Sequence, residues 1–190
     1  QLVERHGVVT REAVLAEGIS GGFAGVYGVL KVLEERGQVR RGYFVDGLGA
    51  AQFAIPGAVD RLRALREPAP DASPLILAAT DPAQPFGAAL AWPENRGRPA
   101  RTSGALVISV AGVPIAWYDR RGHHLVLFGA ASGDGRWAEA LATLVKDGRL
   151  RGVEVRKIDG QAVAESRPDA LAALRRVGFV DGYRGLVLRG

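Results

Sequence analysis

The sequence predicts an α+β fold whose first part is helical with a two-stranded flap and whose second part is built on sheet. Three observations lead there. Val26, Val29, Leu30 and Leu33 recur on one helical face that ends at Gly37. Residues 39–54, reading VRRGYFVDGLGAAQFA, then form an extended, glycine-turned hairpin carrying basic and aromatic side chains. Beyond residue 74 the period changes to short alternating runs separated by tight turns. Helices followed by such a hairpin make a winged helix, a module that commonly rests on a nucleic-acid backbone.

Each element has a local cause. Residues 2–6 close a first helix capped by Gly7, and Val8-Val9 is a short extended link. Thr10 N-caps a second helix through Ala13, Val14 and Leu15, and Ser20-Gly21-Gly22 is the turn before a third helix over 23–36. Wing strands are expected at 39–45 and 52–55. Pro56 starts a fourth helix with Val59, Leu62 and Leu65 as its buried stripe. The expected domains are a winged-helix module over 1–66, a Pro-rich linker over 67–74, and a β-meander or small barrel with an α+β tail over 75–190. Within the last, strands are expected at 75–79, 105–110, 113–118, 123–128 and 153–158, a helix begins near Trp137, another covers 168–177, and a strand at 186–188 closes the chain. Helices on one face of the sheet fit the α+β class. Alternation would bury one of Trp117 and Tyr118 and expose the other.

Composition narrows the function classes. The chain has 190 residues with 25 Lys and Arg against 20 Asp and Glu, a net charge of +5 that permits nucleic-acid binding without requiring it. Nearly all the cations are arginine, which a GC-rich genome also favours. Cysteine is absent, so disulfide and thiol chemistry are excluded, in keeping with a reducing cytosol. No apolar run is long enough to cross a bilayer, so no membrane association is expected. The start at Gln1, inside a helix pattern and without Met, is the expectation for a piece of a longer chain.

Catalytic motifs are sparse. Gly47-Leu48-Gly49 follows a strand, but Gln52 stands where a third glycine would complete a dinucleotide fingerprint and Pro56 blocks the long helix that fingerprint needs. No phosphate-binding loop is present, and His6, His123 and His124 are too scattered to hold a metal. For nucleic acid, Arg40 and Arg41 at the wing's foot and Tyr43 beyond them offer phosphate contacts and a stacking face, with Arg41 and Tyr43 on one side of the strand and Arg40 on the other. Lys31 on the third helix adds a phosphate contact. Gly25, Tyr27, Gly28 and Glu34 share its outer face and have little to read a base edge, so binding is expected to be sequence-nonspecific, to single-stranded or duplex DNA. In the second half Arg96, Arg98 and Arg101 cluster in a flexible Gly-Pro stretch after Trp92, a candidate grip for a single strand or simply an exposed loop.

The runs RRGYFVDGLGAAQFAIPGAVDRLR (40–63), LAATDPAQPFGAALAWP (77–93) and GFVDGYRGLVLR (178–189) resemble the C-terminal end of the bacterial large helicase-related proteins, the Lhr family. The resemblance implies a parent that is an ATP-dependent 3′-to-5′ DNA repair helicase of the bacterial cytoplasm and nucleoid. Its ATP and Mg would be held by motor domains upstream of Gln1, leaving no cofactor in this stretch. It also implies a nucleic-acid-binding and assembly module whose partners are DNA, the upstream domains and further copies of the chain. The family's end resembles the tandem winged-helix glycosylases that unhook crosslinks, which makes a DNA glycosylase the alternative function. Their Gln-x-Gln or Gln-x-Asp signature is echoed only in part by Gln52-Phe53-Ala54, so no catalytic residue follows, and Asp46 and Gln52 are merely the polar groups nearest the wing. The wing's side chains pairing with Glu34, Glu35 or Asp46 would favour a scaffold instead.

Overall fold

The computed structural model describes residues 1–49, 51–67, 71–129, 133 and 135–190, so residues 68–70 of the expected linker lie outside it. The chain divides into two compact units, one of Gln1–Pro68 with Ala88–Ala91 and one of Ala69–Gly87 with Trp92–Gly190.

The first unit runs α1 Leu2–His6, β1 Val8–Val9, α2 Arg11–Ala16, α3 Gly22–Glu35, β2 Arg40–Gly42, β3 Gln52–Ala54 and α4 Pro56–Ala64. Gly7, at φ 67°, donates its N–H to the Val3 carbonyl and ends α1. The Thr10 hydroxyl accepts the Ala13 N–H at 3.1 Å and starts α2. The strands order β1-β3-β2, all antiparallel, with Phe53 opposite Val9 on one side and Arg41 on the other. Phe53 is fully buried among Val9, Val14, Leu30 and Val39, and the rings of Phe23 and Tyr27 lie 6.5 and 5.9 Å from it.

Two expectations about helix faces fail here. Val29 is 63% exposed while Tyr27, expected outside, packs on Phe53: the inward arc is Phe23, Val26, Tyr27, Leu30 and Leu33, and Val29 lies about a right angle away from it. On α4, Leu62 and Leu65 are exposed and the buried residue is Ala58, whose methyl lies beside Gly7 and needs no wide apolar stripe.

The second unit contains β4 Leu75–Ala78, β5 Ala105–Val110, β6 Val113–Asp119, β7 His124–Leu127, α5 Arg136–Lys146, β8 Gly152–Val155, β9 Lys157–Ile158, β10 Gln161–Ala162, α6 Pro168–Arg176, β11 Val180–Asp181 and β12 Leu186–Arg189. The meander belongs to a six-stranded sheet ordered β10-β9-β7-β6-β5-β4, antiparallel except for the parallel β7–β9 pair. It is open rather than a barrel, with β10 and β4 unjoined. Its apolar face is closed by α5 and α6, through Trp137, Leu141, Leu144 and Leu174, instead of by curling on itself. The expected strand at 153–158 is two strands in two sheets. β8 pairs with β12 in a second sheet ordered β11-β12-β8, and β9 joins the meander, the chain switching at Arg156.

Trp117 and Tyr118 are both buried, at 4% and 2% exposure, because the sheet is covered on both faces. Tyr118 faces the helices and donates its hydroxyl to the Glu154 carbonyl at 2.7 Å, and burial pushes its phenol up to about 12. Trp117 faces a second layer made by residues 81–87 and 92–104, where Phe86 stacks on Trp92 at 6.3 Å and Trp92 on Phe128 at 6.0 Å. That stretch is therefore a packed cover and not the loose basic loop expected. Asn95 accepts the N–H groups of Gly97 and Arg98 and donates to the Pro93 carbonyl, and the Trp117 indole donates to the Ala100 carbonyl at 3.0 Å.

Candidate nucleic-acid interface

The wing begins where α3 ends. Gly37, at φ 71°, turns the chain out of the helix, and Val39 anchors it in the core before β2 emerges. After β2 the chain over 43–49 is held mainly by the fully buried Gln52 of β3. Its Oε1 accepts the N–H groups of Phe44 and Val45 at 2.9 and 2.8 Å. Its Nε2 donates to the carbonyls of Val45, Leu48 and Gly49 at 2.9, 3.3 and 3.3 Å. Every donor and acceptor of the amide is thus committed to backbone, which leaves none for a water or a substrate. Asp46 accepts the Gly47 N–H at 2.9 Å in the same loop.

The four candidate contacts of this unit differ in freedom. Arg41 is engaged: its Nη1 donates to the Tyr27 hydroxyl at 3.3 Å and its Nε lies 3.5 Å from Glu34. Arg40, pointing to the other side of β2, is exposed and makes no ion pair or side-chain hydrogen bond among the described residues, and the same holds for Lys31 on α3. Tyr43 is 82% exposed, beyond the end of β2. Alternation in the strand separates Arg40 from Arg41 as the sequence indicates, but the partners of Arg41 come from α3 and have no mark in the strand itself.

Arg101 belongs to the second unit, where Gln84 makes another amide staple. Gln84 is 2% exposed and donates to the Ala79 and Phe86 carbonyls at 3.2 and 2.9 Å. The Arg101 guanidinium donates to the Gln84 carbonyl and, at 3.2 Å, to that of Asp81, so this cation is tied into the Pro-rich turn. Arg96 and Arg98 are exposed. The two adjacent histidines sit at the start of β7. The His124 Nε2 accepts the Gly160 N–H at 3.0 Å and the ring meets Trp117 edge-on, while burial first and Lys157 second hold its pKa below the ordinary value. No group of metal-ligating side chains occurs among the described residues, nor does any helix among them have the length and apolarity to cross a membrane.

Residues 1–74 match the family described as "Large helicase-related protein, winged-helix domain". Over 200 aligned residues the chain is 44% identical to a protein of Mycolicibacterium smegmatis named "Lhr helicase/ probable uracil glycosylase", an alignment covering 99% of this chain and 13% of that protein. Against "Lhr helicase/uracil glycosylase" of Escherichia coli K12 it is 36% identical over 132 residues, covering 67% of this chain and 9% of the other. The chain thus spans only a small part of the length of these relatives.

Proposed function

This chain belongs to the large helicase-related family, and on that premise we propose that it is a non-catalytic nucleic-acid-binding and assembly module of an ATP-dependent 3′-to-5′ helicase acting in DNA repair. The observation that carries this reading is the wing: Arg40 and Tyr43 stand exposed, with no ion pair or side-chain hydrogen bond among the described residues, beside a loop fixed by Gln52. A fixed loop presents them without loss of order on binding. Lys31 and Arg40 supply phosphate contacts, Tyr43 a stacking face, and Arg41 positions Tyr27 and keeps part of its fork for phosphate. Arg101 has a scaffolding part in the other unit. ATP and Mg belong to the motor domains of the longer protein, and its partners are DNA, those domains and further copies.

The test is fluorescence anisotropy with labelled oligo-dT and a matched duplex across a salt series. Binding falls linearly in log–log form with salt, and Arg40→Ala lowers the slope by roughly 0.7–0.9, the loss of one phosphate contact. An unchanged slope in that variant, or no binding at low salt, defeats the reading.

A second reading, excision of uracil from DNA, is favoured by the words "uracil glycosylase" in the names of both relatives. Gln52 is not its water-positioning group, since its amide is fully committed. Abasic sites formed when the chain is incubated with uracil-containing DNA would establish it.

A further inference from the structure

The second unit holds a cleft of about 1,210 Å³ between the β6–β7 turn and the sheet of β8, β11 and β12. We propose that this cleft, ringed by Arg120, Arg121, Arg151 and Arg189 and edged by Tyr183, is a track for a single-stranded nucleic acid. Nucleic acid as the ligand class rests on the reading above. The place does not, because none of these residues belongs to the wing.

The charge balance of the cleft is lopsided for a specific reason. Two carboxylates line it, Glu154 and Asp181, and both are already satisfied by guanidiniums that do not line it. Arg156 binds Glu154 with two hydrogen bonds of 2.8 Å, and Arg175 binds Asp181 at 2.9 Å. None of the four lining arginines makes an ion pair or a side-chain hydrogen bond among the described residues. Surface arginines facing carboxylates usually pair with them, so four forks left open on one concavity concentrate a field that attracts anions. Their backbone is fixed. Arg189 stands opposite Gly152, next to Arg151, in the β12–β8 ladder, and the Asp119 carboxylate accepts the Arg121 N–H at 3.0 Å to set the turn.

Tyr183 gives the cleft its second chemistry. Its ring is 96% exposed at the β11–β12 turn, with the Arg184 guanidinium 5.7 Å from the ring centre. With the guanidinium over one face, the other face of this exposed ring is left for a nucleobase to stack on while the phosphates meet the arginines, a pairing of chemistries that a nucleic acid supplies in full. The volume exceeds the roughly 300–1,000 Å³ typical of small-molecule pockets, which fits a polymer passing through rather than a lone anion. His123 also lines the cleft, with a buried Nδ1 that has no hydrogen-bond partner among the described residues and lies 3.7 Å from Glu154.

The experiment uses the whole chain and a fluorescent oligo-dT, with photo-crosslinking through 4-thiothymidine and peptide mapping. Crosslinks are expected on the Tyr183 peptide. Arg120→Ala combined with Arg151→Ala should weaken binding about tenfold and flatten the salt slope by about 1.4, two single-strand contacts. Tyr183→Ala should weaken it at least about fivefold, with Tyr183→Phe retaining affinity. Circular dichroism and thermal melting, expected to be unchanged at these exposed positions, show that the variants fold. If the variants bind like the parent chain and crosslinks fall only on the peptides of Arg40 and Tyr43, the cleft proposal is overturned while the wing reading stands. Arg40→Ala binding with the affinity and salt slope of the parent chain, with crosslinks still at Tyr183, keeps the cleft and overturns the wing. Competition by polyglutamate at the cleft with no oligonucleotide bound there overturns the proposal in favour of an acidic protein segment.

Discussion

Gln52 and Gln84 show how single buried amides organise loops that no strand ladder reaches. Replacing Gln52 with Leu keeps most of the volume but strands the N–H groups of Phe44 and Val45, whose partner is the lost Oε1. An unsatisfied buried donor costs about 1–3 kcal/mol, so Gln52→Leu should lower stability by about 2–4 kcal/mol, read from urea denaturation. A catalytic glutamine would instead lose activity with little change in stability. His124 yields a pH prediction whose sign follows from its surroundings. Its neutral Nε2 accepts the Gly160 N–H, and burial and Lys157 hold the folded pKa down while Asp159 and Asp119 oppose them. The unfolded ring titrates near its ordinary ~6.5, so the contribution is whole above that value and is lost as pH falls from there through the folded pKa. The urea midpoint should therefore decline between pH 7.5 and 5.5, and decline less in His124→Gln.

At the scale of elements, the cover over the meander depends on one close approach. Gly97 is buried where a Cβ would come 2.3 Å from a methyl of Val126. Gly97→Ala should cost about 1–3 kcal/mol by forcing the cover away from the sheet, seen as a lowered melting temperature. The elements of the first unit were legible because each boundary has a local chemical cause, Gly7, Thr10, Gly37 and Pro56 among them. What was not legible depends on partners distant in sequence. Whether Val29 or Tyr27 turns inward is decided by Phe53, and the burial of both Trp117 and Tyr118 is decided by a covering layer with no regular period. Alternation along a strand separates Arg40 from Arg41, but it groups Tyr43 with Arg41, and Tyr43 lies beyond the end of β2. The engagement of Arg41 by Glu34, and the gathering of Arg120 and Arg121 from a turn, Arg151 from just before β8 and Arg189 from the end of β12, leave no spacing to read.

For the whole molecule, the two units carry separate cores and different reporters. Trp92, Trp117 and Trp137 all lie in the second unit. Tryptophan fluorescence thus follows that unit, whereas far-ultraviolet circular dichroism follows both. Gln52→Leu should move the dichroism transition to lower urea and leave the fluorescence midpoint in place; a common shift would mean that the units unfold together. The switch at Arg156 bears on how the second unit tolerates damage. One short stretch serves as a rung of the β8–β12 ladder and, two residues on, of the β7–β9 pair. A nick or insertion there would deprive two sheets of a strand at once, so a protease, a circular permutation or a gene fusion that divides the chain at Arg156 leaves neither half with a complete sheet.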